Sequence, residues 1–209
     1  MPDLNKIYLF RMLHIDNMQQ VLLHGITHRN SPNANVDFVP IGDVSLISNR
    51  DTFAMPNGKI IGDYIPFYFW ARMPMLFVIQ NGFNGVQSTP ALQIVYCVSS
   101  IAQMLSHQLG FVFTDGHAVD SFSTFHNEND VSNIDTILDF DAIKSKFWKD
   151  DKDLDKKRRK EAEFLVKEDV PITAIVGYIC FDETAKTRLV QLGIEEGLVA
   201  VKPDFYFKI

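Results

Sequence analysis

The chain has 209 residues, 46% of them hydrophobic and 17 of them phenylalanine, which is enough for one domain with a real core and excludes disorder beyond short charged stretches. Its formal net charge of −6 excludes a protein that coats duplex DNA by phosphate neutralisation alone. A short single strand stays open as a ligand, because a local basic patch beside exposed aromatics can hold one and stacking is indifferent to net charge.

The N-terminus MPDLNKIYLF lacks a basic segment followed by a long apolar one, and no apolar stretch approaches the roughly 18 residues of a membrane span, so a cytoplasmic protein with no membrane partner is expected. Ile7 to Leu13 reads as an early strand. Asp16 or Asn17 is placed to cap a helix whose apolar positions Met18, Val21, Leu22 and Ile26 follow helical spacing, with Gly25 as its stop. A polar loop runs from Thr27 to Asn35, then a mixed segment to Asp51 and a turn at Pro56-Asn57-Gly58. Asp63 to Trp70 is a strongly aromatic strand, and the β-branched run Leu92 to Ser100 is a central one.

A helix ending at Gly110 follows, then a strand from Phe111 that breaks at Asp115-Gly116 and opens a polar stretch through Asn133. DFDAIKSKFW is helical, DKDLDKKRRKEAEFLV passes from mixed charges into a strand near Glu163, and ITAIVGYICF is a second buried strand. ETAKTRLVQLG is a helix, and LVAVKP and DFYFKI are closing strands. Cys97 and Cys180 lie inside apolar runs and read as small core hydrophobes. Strands of uneven spacing interrupted by helices and long loops indicate an α+β fold.

Neither a Rossmann nor a Walker glycine loop is present, so a nucleotide site must be of another kind. Metal is not expected: of the six histidines only His24 and His28 have i, i+4 spacing, and Gly25 spoils that helix face. A hydrolase lacks support, since there is no GxSxG and both cysteines read as buried. On residue type alone His14 is a satisfied strand-end histidine, Arg50 a solvated helix-terminal charge, and Glu163 part of a charged helix end.

Five segments, YLFRMLHIDN, VPIGDVSLISNRD, GDYIPFYFWARMPM, FTDGH and KKRRKEAEFLV, taken in this order, resemble the DarT family of DNA ADP-ribosyltransferase toxins from about Leu9 to Pro171. The resemblance implies an ADP-ribosyltransferase-like fold over residues 1–209, with two small sheets around an NAD-binding cleft and flanking helices. It implies an NAD-binding element at about 34–52 and an acceptor-recognition turn region at about 117–163. NAD⁺ is then the co-substrate, with His14, Ile15 and Asp16 at its early contact and Arg50 touching the dinucleotide.

Arg50 and Glu163 become the catalytic pair by the same resemblance, with Glu161 the alternative if the register is shifted. A fixed carboxylate suits the positive charge that grows on the ribose as nicotinamide leaves. A guanidinium suits negative charge on a phosphate or on a base losing its proton, being a poor literal base.

On the acceptor side, half of the aromatic run is core, and the other half, Tyr68 with Arg72 and Met75, fits a surface where an unpaired base stacks. Lys157, Arg158 and Arg159, within the stretch Lys156 to Lys160, supply the basic patch. A base atom hidden in pairing requires single-stranded DNA, with thymine the acceptor that the resemblance implies. Trp70-Ala71-Arg72-Met73-Pro74 and His126 depart from the family pattern and bear on base preference. A macrodomain antitoxin of the DarG type is the implied partner. The rival readings are transfer to RNA, protein or water, and a non-catalytic single-strand-binding module.

Overall fold

Short runs of β-branched and aromatic residues form eight strands among the residues that the computed structural model describes, 2–42 and 49–207. They are β1 (Tyr8–His14), β2 (Ile65–Tyr68), β3 (Ile94–Ser100), β4 (Phe111–Thr114), β5 (Phe125–Asn127), β6 (Glu163–Val166), β7 (Gly177–Cys180) and β8 (Val199–Val201). Their spatial order is β5-β4-β6-β2-β1-β3-β7-β8, antiparallel throughout except for the parallel β7–β8 pair.

The ladder is not equally strong along its width. β1 pairs with β3 from Tyr8↔Ser100 to His14↔Ile94, but with β2 only at Phe10↔Tyr68. The two sheets implied by the family resemblance are thus the halves β5-β4-β6-β2 and β1-β3-β7-β8 of one ladder, meeting at a thin seam. Arg11 ties the seam from within, its Nη1 donating to the Pro66 carbonyl at 3.1 Å.

Alternation along β1 sends Leu9 and Leu13 into one core with Val95, Phe67 and Phe164, and Phe10 and Met12 into another with Tyr96 and Ile179. Cys97 and Cys180 are buried free thiols, as their apolar runs indicate, and burial pushes them up to about 12 and about 11.

The helices that lie wholly within the described residues are α1 (Met18–His24), α2 (Pro74–Asn81), α3 (Ile101–Ser106), α4 (Ile134–Ile137), α5 (Phe140–Lys144), α6 (Lys156–Lys160) and α7 (Glu183–Gln191). Three local expectations change. α2 is an addition: Pro74 starts it, Leu76 and Ile79 bury one face, and Gly82 in the left-handed region ends it. DFYFKI is not a strand over its described part, since Pro203–Phe205 forms a tight turn that lays Tyr206 and Phe207 on the second core. Asn17 makes no cap bond to α1, because its side chain is used elsewhere.

Candidate active site

Glu163 opens β6 with its side chain fully buried. The backbone around it is fixed first: Glu163 N donates to Thr114 Oγ1 at 3.1 Å, and Tyr68 of β2 stands directly opposite. Its carboxylate then has one contact on each oxygen. Oε1 accepts from Ala118 N at 3.0 Å, and Oε2 lies 2.9 Å from Arg50 Nη1. That ion pair is a charge contact with poor hydrogen-bond alignment, for neither Glu163 Oε2 nor Arg50 Nη2 has a hydrogen-bond partner among the described residues although both are buried.

Close backbone packing holds Arg50 in place. A Cβ at Gly62 would lie 2.9 Å from Asp51 Cα and 3.1 Å from Arg50 O, so only glycine lets the 60–63 segment press against it. Asp51 is held by Arg29 at 2.6 Å. Residues 43–48 of the expected NAD-binding element lie outside the described residues.

Arg50, Tyr68, Arg11, Met75 and His117 line a cleft of about 490 Å³ above Glu163, between the two sheet halves. Burial, together with the nearby Glu163 carboxylate, raises the Tyr68 phenol well above its ordinary value, and burial lowers the Arg11 guanidinium. Arg11 Nε is likewise buried without a partner among the described residues. Unpaired donors at the wall of a cleft are what an anionic ligand would satisfy.

The far wall is the loop after α1. Asn17 pins it with both ends of its amide: Nδ2 donates to Val39 O at 2.8 Å and Oδ1 accepts from Val39 N at 2.9 Å. Asp169 accepts from His28 N at 2.7 Å and from Ser31 Oγ at 2.5 Å. His28 Nδ1 accepts from Asn30 N, which assigns the proton to Nε2, and Nε2 then donates to Gly62 O at 2.7 Å. This wall exposes Phe38 to the cleft.

The triplet His14-Ile15-Asp16 is not among the residues that line the cleft. His14 contacts Gln93 Oε1 at 3.3 Å and caps the next turn through Nδ1, Ile15 is core, and Asp16 pairs with Arg188 of α7. The residues on that stretch that face the cleft are Arg11, Met12 and Asn17.

Of the acceptor residues, Tyr68 and Met75 reach the cleft, whereas Arg72 stands outside it with its guanidinium carbon 4.4 Å from the Phe207 ring. The expected basic patch is largely paired within the fold. Arg158 is held by Asp155 at 2.7 Å and Asp115 at 3.1 Å, and Arg159 by Asp153, Asp139 and Asp155 at 2.5, 2.9 and 3.0 Å. Lys157 remains exposed.

Gly116 makes this bracing possible, since a Cβ there would lie 2.4 Å from Arg158 Nη1. Glu161 is not on the strand with Glu163 but ends α6, where burial pushes its carboxyl up and His117 partly offsets the shift. His126 stacks on Phe113 at 5.2 Å on the edge strand β5. Among the described residues no three His, Cys, Asp or Glu side chains are grouped to hold a metal, and no helix is long and apolar enough to cross a membrane.

Residues 10–207 match the family model described as ssDNA thymidine ADP-ribosyltransferase, DarT. The chain belongs to the DarT family. An Escherichia coli DNA ADP-ribosyl transferase is 31% identical to it across 97% of this chain and 94% of the relative, and one from Thermus sp. is 29% identical across 95% of each. The fold agrees with that of Thermus sp. 2.9 DarT in complex with ADP-ribosylated ssDNA, with a TM-score of 0.83, 25% identity and coverage of 99% of this chain and 98% of that one. The same Thermus protein in complex with NAD⁺ gives a TM-score of 0.79 at 26% identity, with 99% of each chain covered.

In this DarT chain the family resemblance names Arg50 and Glu163 through the segments NRD and AEFLV, and the fold pairs them across 113 positions, whereas Arg11, Asn17 and His28, which also line or pin the cleft, were not singled out from sequence. Arg11 carried a signal: it is the one charged residue inside the apolar strand YLFRMLH. Asn17 and His28 carried none, because their roles depend on backbone groups at Val39 and Gly62 that only the fold brings near.

Proposed function

We propose that this chain, as a single ADP-ribosyltransferase unit over residues 1–209, transfers ADP-ribose from NAD⁺ to a ring nitrogen of thymine in single-stranded DNA, with Glu163 and Arg50 as its catalytic residues. The observation that carries the assignment of residues is the buried Arg50–Glu163 pair, of which Arg50 lines the cleft, with one arginine nitrogen unpartnered among the described residues. The family to which the chain belongs, and the NAD⁺ and ADP-ribosylated ssDNA in the Thermus complexes, support the substrates.

The cleft suits a dinucleotide. Its volume falls within the range of about 300–1,000 Å³ usual for such sites, and the unpartnered nitrogens of Arg11 and Arg50 suit its phosphates or amide. Bound there, NAD⁺ supplies the ribosyl group and nicotinamide as the leaving group. Arg11, Asn17 and Phe38 face it, and the His14–Asp16 turn leads from Arg11 to Asn17.

Glu163, fixed by Thr114 and Ala118, stabilises positive charge at the ribose carbon while the bond to nicotinamide breaks. The new bond forms from that carbon to the thymine nitrogen, and the nitrogen's proton passes to Glu163 or to solvent. The Arg50 guanidinium stabilises the negative charge the base carries as that proton leaves. Tyr68 and Met75 flank the base, and Arg72 and Lys157 take phosphates of its strand. The toxin role, a cytoplasmic site of action and a DarG-type antitoxin partner are consistent with this reading.

Mass spectrometry of thymine-containing single-stranded oligonucleotides incubated with NAD⁺ tests it. The protein is expected to add one ADP-ribose. Glu163→Gln, which keeps the shape of the buried group, is expected to lower the rate at least about a thousandfold. Free ADP-ribose with no modified oligonucleotide would redirect the reading to hydrolysis, and modification of RNA or protein alone would overturn the acceptor.

A further inference from the structure

Every arginine of the chain other than Arg72 has an oxygen partner within the described residues. Arg11 has the Pro66 carbonyl, Arg29 has Asp51, Arg50 has Glu163, Arg158 and Arg159 have their carboxylates, and Arg188 has Asp16. Arg72 has no carboxylate and no hydrogen bond among them, and its Nε is buried without a partner. Its neighbour is the Phe207 ring at 4.4 Å.

That ring is itself held firmly. The Gln80 side chain grips the Phe207 backbone in both directions, Nε2 donating to Phe207 O at 3.2 Å and Oε1 accepting from Phe207 N at 2.9 Å. Phe77 and Trp148 pack edge-on against the ring, with centroids 5.1 and 5.8 Å away. Gln80 is buried on α2, whose second residue, Met75, lines the cleft. One short helix therefore links the ring that carries Arg72 to the wall of the active site.

The chemistry of the two kinds of partner differs. A carboxylate occupies the in-plane N–H groups of a guanidinium and cancels its charge, while an aromatic ring uses the flat face and leaves the charge and the outer N–H groups available. We propose that Phe207 is a positioning residue, which presents Arg72 beside the cleft, as a cation with no carboxylate partner among the described residues, for a phosphate of the acceptor strand. The proposal rests on Arg72 being an acceptor contact.

Steady-state kinetics with a thymine-containing oligonucleotide tests both, using Arg72→Gln, Phe207→Met, Phe207→Tyr and the double variant Arg72→Gln/Phe207→Met. Methionine keeps most of the apolar volume without the ring face, and tyrosine keeps the ring. Arg72→Gln is expected to raise the oligonucleotide KM about tenfold and to reduce the salt dependence of binding. Phe207→Met is expected to raise the same KM about three- to fivefold, leaving kcat and the NAD⁺ KM within a factor of about two, and Phe207→Tyr to restore it.

In the double variant the loss of the ring should add nothing to the loss of the arginine. If Phe207→Met adds its full effect on top of Arg72→Gln, or lowers kcat and raises both KM values together, the ring is only packing and the positioning role is overturned. A silent Arg72→Gln removes the acceptor contact itself, and the proposal with it, while leaving Arg50 and Glu163 as they stand.

Discussion

Arg158 and Arg159 on α6 and Arg72 after β2 differ in what surrounds them. The first two are enclosed by Asp115, Asp139, Asp153 and Asp155, the third by an aromatic ring. Charge in the sequence is therefore not the same as unpaired charge in the fold: the densest basic run braces the turn before Glu163, and Arg72 has no carboxylate partner among the described residues. If the proposed role of Arg72 holds, a chain of net charge −6 holds a single strand without a basic face, by a cation beside stacking surfaces.

The sharpest test of the distinction is at the cation with the most buried partner. Arg50→Ala leaves Glu163 fully buried without its cation, and a broken buried pair typically costs about 3–5 kcal/mol. Urea unfolding should show a loss of that order, with transfer abolished. A stability unchanged to within about 0.5 kcal/mol would mean that the Ala118 amide and entering water replace the arginine, and that the floor is not an electrostatic unit.

Arg159→Ala follows in size. It removes three partly exposed ion pairs, one to Asp139 just before α5 and two to Asp153 and Asp155 just before α6, and should lower stability by about 1–2 kcal/mol, less than a buried pair because solvent screens it. The oligonucleotide KM of the folded variant should stay within a factor of about two, and the slope of log affinity against log salt should not change. Arg72→Gln should behave oppositely, with stability kept and that slope reduced by about 0.7. An Arg159→Ala slope reduced as much as that of Arg72→Gln would return the basic patch to α6.

The sequence carried the features written in local pattern. The strand YLFRMLH, the central strand, the two buried cysteines and the break at Asp115-Gly116 all follow from alternation, β-branching and turn residues. Glu163 and Arg50 followed from the family resemblance and not from spacing, since on residue type alone each was a solvated charge. What could not be read was pairing over distance. The carboxylates that occupy Arg158 and Arg159 include Asp115 and Asp139, 43 and 20 positions away, and Asn17 looked like a helix cap because its partner at Val39 is 22 positions on. α2 was hidden for another reason: PMLFVIQN is apolar on most sides, so it shows little helical periodicity.

Lys160, the last residue of α6, gives the smallest effect. It is the cation of that helix that turns inward, fully buried, with Nζ donating to Ile143 O and Ser145 O, both at 2.8 Å. Burial, and next the charge of Arg72, lower it to about 8. A lysine whose folded value lies below its unfolded value of about 10.4 opposes folding fully below pH 8, where both states are charged. Between about pH 8 and 10.4 the unfolded chain holds more protons, so this contribution to stability rises with pH.

The buried tyrosines Tyr96 and Tyr206 and the Cys97 thiol, all raised by burial, act in the opposite sense, but equally in a variant that lacks only the lysine. The test is the difference between wild type and Lys160→Met in urea unfolding at pH 7.5 and pH 9.5. Relative to the variant, the wild type should gain about 1 kcal/mol over that interval, less than the full shift allows because the two carbonyls favour the charged form. Parallel pH profiles would mean that the ammonium keeps its proton in the fold and that its carbonyl partners outweigh its burial. α6 would then hold an inward charge at no cost beyond that of the outward ones.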